Sequence, residues 1–179
     1  MIPEAPLEET GHGLAAQGEG WFVLNARDAV WLDRGDRGVL CHFEERQDFP
    51  QVGFHIMVLW PGQPMSVYHR EVDQEDFLVV AGEALLIAEG HERPLRQWDF
   101  VHCPPNAAHT IIGAGDGPCV VVAVGARGES TGPNWGAYTV DETAIRHGAG
   151  VERETSDPDE AYARFPRRGK TRYQEGWLP

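Results

Sequence analysis

A chain of 179 residues, 41% of them hydrophobic, can build one domain with a substantial core and is short for two. Its 28 acidic residues against 15 basic ones leave a formal charge of −13, so nucleic-acid backbones and anionic membrane surfaces are repelled on average and neither is expected as a partner. The longest apolar stretch, Cys119 to Ala126, falls far short of the roughly 18 to 20 residues of a bilayer span.

Residues 1–20 are acidic and carry Gly11, Gly13, Gly18 and Gly20, which predicts a flexible or draped arm with no fold of its own. The arm lacks the basic and apolar regions of a secretory signal, and a cytoplasmic protein is expected. Residues 21–130 contain short apolar runs: WFVL (21–24), VLCHF (39–43), GFHIMVLW (53–60), MSVYH (65–69), FLVVAG (77–82), EALLIAEG (83–90), DFVHCP (99–104), HTIIG (109–113) and CVVVAV (119–124). Each is rich in β-branched or aromatic residues and bounded by turn formers, and no helical pattern alternates with them, so an all-β sandwich or barrel is predicted.

Residues 131–179 read as a C-terminal extension. Asp141 caps a short helix that Gly148 stops, and Asp157, Pro158 and Glu160 open another that ends before Pro166. The tail from Arg167 to Pro179 carries Tyr173 and Trp177, predicted to strap onto the barrel or onto a neighbouring subunit, and a homodimer is expected. Cys41, Cys103 and Cys119 are odd in number and lack CxxC spacing, which excludes a disulfide framework and a cysteine-based zinc site; Cys103 reads as a small buried hydrophobe.

Residues 61–113 carry the chemistry. Pro61-Gly62 is followed by His69-x-Glu71-x3-Glu75-x6-Gly82, and later by Trp98-Asp99-Phe100-Val101-His102-Cys103-Pro104-Pro105-Asn106-Ala107-Ala108-His109. In order and separation these two segments resemble the paired motifs of the cupin superfamily. The resemblance implies a double-stranded β-helix, a jelly-roll barrel with its ligand positions facing into the mouth. Three positions depart from the family pattern: Glu71 stands for the second His, Trp98 for the Gly that opens the second motif, and Asn106 for the Gly before the last His. Asn accepts positive φ better than other non-Gly residues, so that turn survives the change. Trp98 is expected to close one end of the barrel.

On a strand, residues two apart share a face, so His69 and Glu71 point the same way, while Glu75 lies past a polar reversal that returns its carboxylate toward them. His69, Glu71, Glu75 and His109 then form a set suited to a divalent transition metal, Fe, Mn, Zn or Ni. Two carboxylates neutralise such an ion, which makes it a weaker Lewis acid and less attractive to anionic substrates. Without a metal, Glu71 is placed to act as a base.

His55 and His102, on predicted strands, read as hydrogen-bonded pocket or core residues, and Gly132 to Gly136 as a turn or a lid carrying Trp135. The expected function is that of a small cupin acting on a small polar organic molecule as an oxygenase, isomerase or lyase. The alternative is a non-catalytic cupin that binds a small ligand as a sensor or carrier.

Overall fold

The inward faces of the long apolar runs meet in one core, and their outward faces are covered as well. The computed structural model describes residues 1–46, 49–128 and 134–179. In chain order the strands are β1 (Leu7–Glu9), β2 (Leu14–Ala16), β3 (Val30–Asp33), β4 (Val39–His42), β5 (Val52–Leu59), β6 (His69–Glu71), β7 (Glu75–Ala81), β8 (Glu83–Ala88), β9 (His91–Arg96), β10 (Phe100–Cys103), β11 (His109–Ala114), β12 (Cys119–Ala126), β13 (Gly136–Tyr138) and β14 (Lys170–Arg172). Helix α1 (Glu142–Arg146) and helix α2 (Pro158–Ala161) follow β13.

Seven strands form one sheet in the order β10-β7-β12-β5-β4-β3-β14, and five form the other, β13-β6-β11-β8-β9. All named pairings are antiparallel, and the longest ladder runs from Cys119 opposite Leu59 to Ala126 opposite Val52. Between the sheets lie Leu40, Met57, Leu59, Phe77, Val79, Ile111 and Val121. The all-β jelly roll expected from the sequence is therefore present.

Continuous apolar runs, rather than alternating ones, mark strands buried on both faces, and β5 shows why. Met57 and Leu59 enter the barrel core, while Ile56 and Val58 join an outer cluster around Trp31 and Trp177. Ala144 of α1 similarly covers Ile87 and Ile112 on the back of the five-stranded sheet. Both helices start as predicted, with Asp141 accepting from the Ala144 amide and Asp157 from the Asp159 amide. α2 is shorter than expected, and Glu160 bonds Thr155 and Arg153 instead of closing a capping box.

Several expectations change in the structure. The N-terminal arm pairs β1 with β2 as a hairpin, with Ala5, Ala15 and Ala16 buried. WFVL is not a strand, and Trp21 and Val23 are exposed. Of MSVYH only His69 lies in a strand. The tail aromatics stay on their own chain, with the Trp177 and Tyr173 rings 5.1 and 6.0 Å from Trp31.

Two tight turns frame the barrel. Gly82 (φ 73°) carries the chain from β7 in one sheet to β8 in the other, and a Cβ there would lie 2.6 Å from the Pro118 carbonyl oxygen. Trp98 takes φ 76° although it has a side chain, and it is 67% exposed, so it does not close the barrel. Left-handed backbone costs a non-Gly residue about 1 kcal/mol or more. Trp98→Gly is therefore expected to raise the denaturant midpoint, adding about 1 kcal/mol of stability. A lower midpoint would mean that the indole packs productively.

Among the described residues, no helix is long and apolar enough to cross a membrane.

Candidate metal centre

Three strands from the two sheets bring the site together. His69 opens β6 and His109 opens β11, and the two are direct partners across the β6–β11 ladder. Residues opposite one another share a face, and their rings lie 5.1 Å apart. Glu75 opens β7 in the other sheet. The Asn106 turn is held in place, since Asn106 takes φ 68° as expected and its amide donates to the Glu71 carbonyl at 2.6 Å.

Both imidazoles are oriented by the same device. Nδ1 of His69 lies 2.8 Å from the Val67 carbonyl, and Nδ1 of His109 lies 2.9 Å from that of Ala107. A proton on Nδ1 satisfies each carbonyl and leaves Nε2 aimed inward as a ligand. Glu75 Oε2 sits 3.5 Å from Nε2 of His69 and 3.2 Å from Nε2 of His109. These separations match donors that each lie about 2.1 Å from a single ion. Nε2 of His109 and Oε2 of Glu75 are sealed from solvent without a hydrogen-bond partner. Two orphaned buried polar atoms facing one another are what a metal ion would satisfy, so the residues present fit the group.

His69, Glu75 and His109 present their ligand atoms within 4.8 Å of one another. Glu71, expected as a fourth ligand, stands beside this triad: its Oε1 is 3.5 Å from Nε2 of His69, and it lines the adjoining cavity. That cavity, of about 250 Å³, is also lined by Gly53, His55, Met57, Met65 and Arg127. Gly53, His55 and Met57 alternate along β5, so a single strand face provides this wall.

The electrostatics are strongly coupled. Burial opposes ionisation of Glu75, yet the close imidazoles of His109 and His69 hold its carboxyl down at about 2. Burial also opposes charging of His69, but Glu71 and Glu75 push it up to about 10. His109 rises to about 9 against burial, through Cys103 and Glu75.

Of the neighbours, Tyr138 and Arg127 went unread in the sequence. The Tyr138 and Trp135 rings lie 5.9 and 6.2 Å from His69. Trp135 thus stands beside the site, while Gly132 and Pro133 of the expected lid fall outside the described residues. Cys103 is buried, as expected, and its proximity to His109 helps to raise that imidazole. His55 lines the cavity as expected, whereas His102 is half exposed and bonds Asp76 at 2.7 Å. His55, Arg127 and Trp135 come from strands and loops outside the motif segments, and no spacing rule links them to it.

Residues 55–125 match the family described as Cupin domain. No curated protein matches the chain. Among solved structures, the chain is similar to a candidate sugar phosphate isomerase of Acidithiobacillus ferrooxidans, with 26% identity, 51% of this chain and 62% of that one covered, and a TM-score of 0.46. It is also similar to a cupin-superfamily sugar phosphate isomerase of Silicibacter pomeroyi, at 23% identity, 57% and 62% coverage and a TM-score of 0.45. A third is an RmlC-like cupin with a double-stranded β-helix fold from Methanocaldococcus jannaschii, at 20% identity, 44% and 72% coverage and a TM-score of 0.41. The chain spans 62% of the length of each of the first two.

Proposed function

We propose, from the premise that this chain belongs to the cupin superfamily, that it holds one divalent transition metal ion through His69, Glu75 and His109. In this reading it acts on a small polar organic molecule by isomerase or lyase chemistry, with Glu71 as the base. The observation that carries the reading is the buried, unpartnered pair of Glu75 Oε2 and His109 Nε2. Iron, manganese, zinc and nickel all suit two imidazoles and a carboxylate. Such an ion supplies Lewis-acid polarisation of a substrate oxygen.

The chain's own residues do the rest. Glu71, on the cavity wall and beside His69 alone, is free to take a proton from a molecule in the cavity. Trp135 and Tyr138 shield the outer side of His69 from water. The second reading, a non-catalytic sensor or carrier, is favoured by Glu71 replacing the family's His without joining the compact triad. A cytoplasmic setting and a homodimer belong to the same proposal. The aromatic tail lends the dimer no support, because it packs on its own chain.

Elemental analysis of protein purified without an affinity tag tests the first part, and about one transition metal per chain is expected. Metal titration into Glu71→Ala tests the second, with affinity staying within about 3-fold of the parent. A parent that takes up no metal moves the assignment to the sensor or carrier. A loss of about 100-fold or more in Glu71→Ala, beyond the roughly 10- to 100-fold that an outer partner gives, makes Glu71 a ligand instead of a base.

A further inference from the structure

Across the cavity from Glu75 stands an imidazole that the protein leaves without a partner, and the floor between the two is bare. Gly125 of β12 lies opposite Glu75 of β7 on one side and Gly53 of β5 on the other. Ala123, two residues along, lies opposite Phe77 and His55. Residues opposite one another share a face, so Glu75 and His55 rise from strands about 10 Å apart with only glycine and alanine between them. Gly53 makes room for its neighbour, since a Cβ there would lie 2.9 Å from Nη2 of Arg127. Gly125 is not demanded by the fold. Its φ is not positive, and a Cβ there would meet Cγ of Glu75 at 3.7 Å, an ordinary contact.

The sequence reads His55 as hydrogen-bonded, but among the described residues nothing bonds either of its ring nitrogens. Nδ1 is sealed from solvent without a partner, while Nε2 is neither sealed nor bonded. Because His55 lines the cavity, Nε2 is the atom that a bound molecule meets. The ring is held in place by His42, which stacks on it with centroids 6.4 Å apart and planes 11° from parallel. Burial pulls this imidazole below its ordinary 6.5 against the opposing charge of Glu44, so it stands neutral at pH 7. The cation of the same wall is already satisfied, for Arg127 donates to both oxygens of Glu44.

This lining specifies the chemistry of its occupant. A cavity of about 250 Å³ has the volume of about eight waters at about 30 Å³ each, which admits a molecule of about eight non-hydrogen atoms. Glu71 and Glu75 balance a divalent ion and Glu44 balances Arg127, so no net positive charge is left for an anion to meet. Met57 and Met65 offer apolar wall to C–H groups. Nε2 calls for an oxygen, and a hydroxyl, which both donates and accepts, satisfies it in either tautomer. We propose that Nε2 of His55 binds a hydroxyl of the substrate on the side of the cavity away from Glu75, and that the substrate is a small uncharged hydroxy-carbonyl compound. The carbonyl follows from isomerase or lyase chemistry, in which Glu71 takes a proton that a carbonyl makes acidic. The inference rests on reading this cavity as the substrate site.

Saturation-transfer NMR with dihydroxyacetone and with malonate, a neutral and a doubly charged molecule of equal carbon number, tests this on zinc-loaded protein and after dialysis against a chelator. The proteins compared are the parent, His55→Phe, His55→Gln, Gly125→Ala and, as a control outside the cavity, His102→Gln. Dihydroxyacetone is expected to bind the parent about 10-fold or more tighter than malonate. His55→Phe should weaken it by about 5-fold or more, the worth of one hydrogen bond, and His55→Gln should bring it back to within about 2-fold of the parent. Gly125→Ala, whose methyl stands on the cavity floor, should weaken it by about 3-fold or more with zinc content unchanged, and His102→Gln should change nothing. Because His55 has no partner to lose, the denaturant midpoint of His55→Phe should equal the parent's or exceed it, whereas a structural role would lower it. Should the phenyl ring not fit, His55→Leu carries the same comparison. No binding of dihydroxyacetone by the parent, tighter binding of malonate, or equal affinity in His55→Phe overturns the assignment. Zinc content of the same samples keeps the two proposals apart. Binding that depends on His55 in a parent that takes up no zinc overturns the metal reading and leaves the role of His55 standing, and zinc uptake without that dependence does the reverse.

Discussion

Glu75→Gln is expected to lower metal affinity by about 100-fold or more, a larger loss than disturbing an outer partner gives. It removes the one carboxylate oxygen that faces both imidazoles. The same carboxylate sets the pH behaviour of the metal-free protein. Glu75 titrates at about 2, below its ordinary value of 4.5, so the stability it contributes is complete above pH 4.5 and disappears as pH falls through about 2. His69 and His109 titrate at about 10 and about 9 against an ordinary 6.5, so their contribution is complete below pH 6.5 and disappears as pH rises through those values. The metal-free protein should be most stable between these limits and weaken steadily above pH 6.5. Metal ligation requires neutral imidazoles, so uptake near pH 7 should release about two protons per ion and affinity should rise with pH. An indicator dye follows the release directly. Uptake with no proton release and no pH dependence would contradict the imidazolium description of the empty site.

Trp177→Ala should destabilise the fold by about 3 kcal/mol, the usual range for removing a buried aromatic. Trp177 is 8% exposed and packs on Trp31, which is fully buried. Deleting residues 167–179 should lower the denaturant midpoint further, because it also strips β14 from β3 and uncovers Trp31. Equal midpoints for the parent and the truncated chain would make the tail a passive extension.

Strands packed on two faces announced themselves, because β5, β7, β11 and β12 need apolar side chains both inward and outward. The edges did not. β9 reads HERPLR and β14 reads KTR; both are held by backbone hydrogen bonds that any sequence can make, and an edge favours charge and proline. WFVL misled for the complementary reason: apolar character without a sheet edge to join leaves Trp21 and Val23 in water. At the site, His69, Glu75 and His109 were legible because the two segments that carry them resemble the paired cupin motifs in order and separation. Glu71 was placed on the correct face, but strand alternation carries no information on how far a carboxylate reaches.

The outer cover of the seven-stranded sheet also governs the order in which the molecule can assemble. β3 receives its edge partner from the far end of the chain, and Arg27 bonds the Pro179 carbonyl across 152 residues. Closing loops of that length is entropically slow, and contacts of this kind form late. A chain emerging from a ribosome therefore displays Trp31 and the back of β4 and β5 until residues 170–178 have been made. This interval is when the nascent protein is most vulnerable to association with other chains.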